Sequence, residues 1–161
     1  MVYNELMKAK FLMIGFVALV IIILTFVAFK PNKIEVLNEG PIVGLGASLV
    51  EGYGVANSER FMDLVADELD RDVVNLGVSG NTTTQILDRI DQVPRDASIV
   101  IVSAGGNDII KRLPLAQTRQ NLSAITKQLT ANNSIVVLLD VRGPLLFGDY
   151  KDLYREIASS N

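Results

Sequence analysis

Histidine and cysteine are both absent from this 161-residue chain, and each absence closes a class of chemistry. Without cysteine there is no disulfide framework, no thiolate nucleophile and no sulfur-based zinc site. Without histidine the commonest metal ligand is missing, and so is the side chain that most often serves as a general base near neutral pH. Charge of one sign is scarce as well. Fifteen Lys and Arg stand against eighteen Asp and Glu for a formal net charge of −3, and the two signs are interspersed, so no basic stripe marks a nucleic-acid face. Internal repeats and low-complexity segments are also lacking. The composition points to one domain of ordinary size, with no metal, no cofactor and no nucleic-acid partner.

One long hydrophobic run is present. Residues Phe11 to Phe29 are apolar apart from Gly15 and Thr25, about the length that crosses the hydrocarbon core of a bilayer. The segment reads as a transmembrane anchor. Its end, Phe26-Val27-Ala28-Phe29-Lys30-Pro31, lacks the small-residue pattern of a signal-peptide cleavage site. Lys8 and Lys10 precede it while Lys30 and Lys33 follow, so the positive-inside rule is nearly balanced. The expected organisation is a short tail over 1–10 on the inside, an anchor over 11–29, a juxtamembrane linker over 30–40 and a domain over 41–161 outside. That describes a single-pass membrane protein with an extracytoplasmic domain.

From Pro41 onward, short apolar runs alternate with helical patterns, as in βα units built around a parallel sheet. Strands are expected at Ile42 to Leu45, Val73 to Leu76, Ile99 to Ser103 and Ile135 to Leu139. Between them, Ser58 is expected to cap a helix with Phe61, Leu64, Val65 and Leu69 on its inner face. A second helix, Thr82 to Asp91, turns Ile86, Leu87 and Ile90 inward. A third, Leu115 to Thr130, starts after Pro114 and buries Leu122, Ile125 and Leu129. The last pattern spaces Tyr150, Leu153, Tyr154 and Ile157 by three and four. Strand four is wholly apolar, which predicts helices on both of its faces.

Ligands of a parallel α/β sheet sit at the carboxyl ends of its strands, and three glycine-rich segments fall there. They are Gly44-Leu45-Gly46-Ala47-Ser48-Leu49-Val50-Glu51-Gly52-Tyr53-Gly54, Asn75-Leu76-Gly77-Val78-Ser79-Gly80-Asn81-Thr82 and Gly105-Gly106-Asn107-Asp108. A serine, a glycine and an asparagine at successive strand exits suit an acyl-transfer site, which needs a nucleophile and donors aimed at a developing oxyanion. In that order the segments resemble the first three sequence blocks of the GDSL, or SGNH, hydrolases, a family of serine esterases and lipases. The resemblance covers the chain from about Pro41 to its end. It implies a three-layer α/β/α sandwich, flavodoxin-like, with strand order 2-1-3-4-5, of which four strands are present here. It also implies Ser48 as nucleophile, the backbone N–H groups of Ser48 and Gly80 and the side-chain amide of Asn107 as the oxyanion hole, and a small ester or acyl substrate.

Two departures from the family pattern stand out. Ala47 occupies the place of an aspartate in the first block, which bears on loop hydrogen bonding. The family's last block, Asp-x-x-His, has no counterpart, so Ser48 lacks the base that would take its proton. Either the chain is a C-terminally incomplete copy of an active esterase, inactive as it stands, or it is a degenerate, non-catalytic, membrane-anchored binding module of the same fold. The apolar fourth strand, left at a sheet edge, favours the incomplete copy.

Blander readings of the same residues are a helix N-cap for Ser48 and a turn or capping pair for Asn107 and Asp108. Asp63, Asp67, Asp88 and Asp91 fall on solvated helix faces. Tyr53 reads equally as core or as part of a substrate wall. A dinucleotide fingerprint begins at Gly44-x-Gly46 but fails at Leu49, where its third glycine belongs, and at Asn75 and Leu76, where an acidic residue is needed.

Overall fold

The fold is described from a computed structural model, covering residues 39–140, 150 and 152–160. The expected anchor over 11–29 and all but the last two residues of the expected linker lie outside the described residues. Among the described residues no helix is long and apolar enough to cross a membrane.

Four strands, β1 (Ile42–Gly46), β2 (Val73–Gly77), β3 (Ile99–Ser103) and β4 (Ile135–Leu138), form one sheet in the order β2-β1-β3-β4. All pairings are parallel, with Ile42 opposite both Val73 and Ile99, and Ile99 opposite Ile135. The helices are α1 (Ser48–Glu51), α2 (Phe61–Leu69), α3 (Thr83–Leu87), α4 (Gly106–Ile110), α5 (Leu115–Ala131) and α6 (Leu153–Ser159), with short 3-10 turns at Asn57–Glu59 and Ile90–Gln92.

Strand residues alternate between two cores because successive side chains point to opposite faces. Val43, Leu45, Val100 and Val102 face a large cluster with Ile86, Leu122, Ile125, Leu129, Leu153, Tyr154 and Ile157, which puts α3, α5 and α6 on that side. Ile42, Val73, Ile99 and Ile101 meet Val50, Met62, Phe61 and Val65 on the other, under α1 and α2. Gly44 lets α2 approach closely, since a Cβ there would lie 2.6 Å from the Met62 sulfur. The result is the three-layer α/β/α arrangement that the family resemblance implies.

Three expectations need correction. Ser58 lies within the 3-10 turn, while Arg60 holds the N-cap position of α2 and no side chain caps it. The inner face of α2 is centred on Met62, fully buried, and Leu64 and Leu69 are each 53% exposed. Phe61 and Val65 are partly buried beside Met62 in the same cluster. Strand β4 is not covered on both sides among the described residues: Val136 and Leu138 pack on the large core, but Val137 is 41% exposed. On that face the residues of α1 and α2 pack against β1, β2 and β3 through Ile42, Val73, Ile99 and Ile101.

Other elements follow their sequence signals. Thr82 caps α3 in a reciprocal box with Gln85, as a threonine followed three residues later by glutamine favours. That helix stops at Leu87 and tightens into the 3-10 turn, so Leu87 and Ile90 are only partly buried while Ile86 is fully buried. Pro114 occupies the N-cap of α5, and its carbonyl accepts the N–H groups of Gln117 and Thr118.

Candidate active site

Register decides where the three glycine-rich segments open. Gly46, the last residue of β1, lies opposite Gly77 of β2 and Ser103 of β3, so three adjacent strands end at one level and their exits leave the same edge. Ser48, Gly80 and Asn107 are carried by those exits.

Beyond β1 the chain turns at once into α1. Ser48 is its first helical residue and is half-buried; the N-cap position belongs to Ala47, which makes no side-chain cap bond. The Ser48 hydroxyl is therefore not acting as a helix cap. Gly52 ends the helix in a left-handed conformation, with φ 85°, and donates to the Ser48 carbonyl at 3.0 Å. Helix α1 lies directly on the end of β2. A Cβ on Gly77 would come within 2.0 Å of the Glu51 nitrogen, and the Asn75 amide donates to the Val50 carbonyl at 2.7 Å.

The β2 exit is tied on both sides. The Val78 N–H donates to the Gly46 carbonyl at 3.1 Å, and the Glu51 carboxylate accepts from the N–H of Ser79 at 3.0 Å and from its hydroxyl. Gly80 has φ 80° and open space around it, so its glycine is required by torsion alone. After β3, Asn107 sits in the first turn of α4 and its Nδ2 donates to the Asn81 carbonyl at 2.9 Å. Lys111, from the C-terminal end of the same helix, donates to the Gly80 carbonyl at 2.9 Å.

The structure thus joins the Asn107 helix to the Gly80 loop by direct hydrogen bonds, and the Gly80 loop to the Ser48 helix through Glu51 and Gly46. No hydrogen bond links the Ser48 side chain to Gly80 or Asn107 among the described residues. Within the same set, the backbone N–H groups of Ser48 and Gly80 have no acceptor, and Asn107 commits only one of its two amide hydrogens.

Three further residues build this edge, of which the sequence reading named Asp108 only as a turn or capping residue and Tyr154 only as part of a helical pattern, and passed over Arg89. Asp108 is 1% exposed, and its carboxylate accepts from the Thr83 N–H at 2.8 Å, the Thr83 hydroxyl at 2.5 Å and the Thr118 hydroxyl at 3.4 Å. It thereby caps the start of α3 from a neighbouring segment. Arg89 donates to the carbonyls of Gly46 and Leu76 and to the Asn81 side chain. Its pKa is lowered by burial. Tyr154 donates to the Ala104 carbonyl at 2.8 Å and closes over Gly105, where a Cβ would lie 2.5 Å from the Tyr154 oxygen. Its phenol is pushed well above the usual tyrosine value by burial first, then by the charges of Asp140 and Asp108. Only the long-range partner gives these residues away, and sequence spacing does not encode it. Tyr53 is 79% exposed and is not core.

The model of the GDSL-like lipase/acylhydrolase family matches residues 45–160, well over half of the chain. The chain belongs to the GDSL-like lipase/acylhydrolase family. It is 30% identical over 134 residues to the thioesterase 1/protease 1/lysophospholipase L1 of Escherichia coli K12, a match covering 81% of this chain and 61% of that protein. Esterase TesA of Pseudomonas aeruginosa is 30% identical over 111 residues, covering 65% of this chain and 55% of the esterase. The chain therefore spans about three fifths of the length of these curated relatives. Among solved structures, AlinE4, an SGNH-hydrolase family esterase, superposes with a TM-score of 0.66 at 32% identity, over 76% of this chain and 70% of that one. As a GDSL-like family member, the chain places its three family blocks on one edge of a parallel sheet.

Proposed function

We propose that this domain is an ester hydrolase of the SGNH type in which Ser48 is the acyl-accepting nucleophile. The observation that carries the reading is the set of uncommitted donors at one sheet edge: the N–H of Ser48, the N–H of Gly80 and the second amide hydrogen of Asn107. In the proposed reaction the Ser48 oxygen attacks the carbonyl carbon of a carboxylic ester, and the carbonyl oxygen becomes an oxyanion held by these donors. Collapse expels the alcohol and leaves an acyl-serine, which water then hydrolyses. Losing one oxyanion donor typically costs about a hundred- to a thousandfold in turnover.

The proton of Ser48 needs a base, and none of the 161 residues is a histidine. We therefore propose that these residues supply the acyl-binding part of the site and complete no efficient catalytic cycle by themselves. Anchoring by 11–29, with the domain extracytoplasmic, belongs to the same proposal and rests on the length and composition of that segment. A small ester is the proposed substrate class, without metal or cofactor.

The test is turnover of p-nitrophenyl acetate. The 161-residue chain is expected to show little or none, and a chain extended after Asn161 with the C-terminal Asp-x-x-His segment of a relative is expected to gain a rate that Ser48→Ala abolishes. Brisk hydrolysis by the unextended chain that survives Ser48→Ala would remove Ser48 as nucleophile. The non-catalytic binding module is the second reading, favoured by the same missing histidine. It predicts that the extended chain binds acyl compounds yet stays inactive.

A further inference from the structure

Each of the three nitrogens of the Arg89 side chain donates to a backbone carbonyl or a side-chain amide at the site edge. Nη2 donates to the Gly46 carbonyl at 2.8 Å, Nη1 to the Leu76 carbonyl at 2.8 Å and Nε to the Asn81 Oδ1 at 2.9 Å. Among the described residues no carboxylate pairs with it. Desolvation lowers its pKa and no acidic neighbour offsets that, so burying this charge is compensated only by the three acceptors. A partly buried cation without a counter-ion is held by the hydrogen bonds it makes, and a planar fork with donors in fixed directions is suited to three acceptors on separate segments.

The three acceptors belong to the segments that carry the site. Gly46 is two residues before Ser48, Leu76 is the penultimate residue of β2 ahead of the Gly80 loop, and Asn81 follows Gly80. The Gly46 carbonyl also accepts the Val78 N–H, and the Asn81 carbonyl accepts the Asn107 amide. We propose that Arg89 is a positioning residue that sets the spacing between the Ser48 strand exit and the Gly80 loop, and through Asn81 fixes the amide of Asn107. The proposal rests on the hydrolase reading for the meaning of that spacing, but not for its physical test. Glu51 grips the opposite side of the loop through Ser79, so the loop is held between a guanidinium on one side and a carboxylate on the other.

Removing the fork should loosen this loop more than the rest of the domain. The experiment is amide hydrogen exchange and 15N NMR on the whole chain, comparing Arg89→Gln and Arg89→Lys with Leu129→Ala, a core truncation in α5 that lowers global stability and removes no hydrogen bond to the loop. Arg89→Gln is expected to speed exchange at the Val78 and Asn81 amides by about tenfold beyond the change at Val100 and Val102, the scale of one lost hydrogen bond. It should also shift the Asn107 side-chain amide resonances. Arg89→Lys keeps the charge but not the fork, and should recover less than half of the lost protection. If Arg89→Gln fails to fold, Asn81→Ala removes only the Nε acceptor and should shift the Asn107 amide by itself.

Exchange that rises evenly across loop and sheet, as in Leu129→Ala, would make Arg89 a general stability residue and overturn the proposal. Full recovery by lysine would do the same to the fork argument. Covalent labelling of Ser48 by a fluorophosphonate is measured alongside. Absence of label in the chain extended with the Asp-x-x-His segment counts against the hydrolase reading, whereas unchanged loop exchange in Arg89→Gln counts against the positioning role.

Discussion

Gly77 and Gly80 stand three residues apart at the β2 exit and are glycines for different reasons. At Gly77 a side chain would strike the backbone of α1, within 2.0 Å of the Glu51 nitrogen and 2.5 Å of its Cα, so Gly77→Ala must push the Ser48 helix off the sheet. A cost of about 3 kcal/mol or more is expected, at the upper end for overpacking. At Gly80 nothing lies within 4 Å of an added Cβ and only the positive φ resists, so Gly80→Ala should cost about 1–2 kcal/mol. Urea denaturation of the two variants checks the order. Tyr154 offers a pH test at the same scale. Its phenol pKa is raised in the folded state, so its contribution is intact below the unfolded tyrosine value of about 10 and is lost as pH rises above it. Comparing urea midpoints at pH 8 and pH 10.5, the parent chain should lose more stability than Tyr154→Phe. That variant should itself start about 1 kcal/mol lower, having lost the bond to Ala104.

Among the elements, the α2 helix shows where periodicity reads well and where it fails. Its apolar residues at Phe61, Leu64, Val65 and Leu69 keep helical spacing, yet the buried position is Met62, because Gly44 opens a gap in the sheet that the Met62 thioether fills together with Val50. A gap on a facing strand leaves no mark in the helix's own pattern. Met62→Ala should therefore cost about 2–5 kcal/mol, while Leu64→Ala should stay within about 0.5 kcal/mol, a contrast that thermal unfolding resolves. Helix α5 is the opposite case. Leu122, Ile125 and Leu129 are all buried as their spacing predicts, since a long helix lying along the sheet repeats one contact geometry over several turns. Strand positions were equally legible, and their ends shifted by one residue at most, because alternation in a fully parallel sheet sorts residues between two cores.

At the scale of the whole molecule, strand order β2-β1-β3-β4 and the shared register bring three separated segments to one edge. The loops bearing Ser48, Gly80 and Asn107 were legible because glycine, serine and asparagine stand directly after apolar runs. The bonds from Arg89, Asp108 and Glu51 that set their spacing were not, since each joins residues 25 or more positions apart or depends on a turn whose shape the sequence does not state. The central claim is that Ser48 accepts an acyl-like group beside donors from Gly80 and Asn107. Peptide mapping by mass spectrometry of the chain extended with the Asp-x-x-His segment, after incubation with a fluorophosphonate, tests it most directly. The adduct should sit on Ser48 in preference to Ser58, Ser79 or Ser103, and Asn107→Ala should slow its formation by about a hundredfold, as loss of one oxyanion donor requires. Labelling spread evenly over the serines, or labelling of Ser48 at the same rate in Asn107→Ala, would contradict the account.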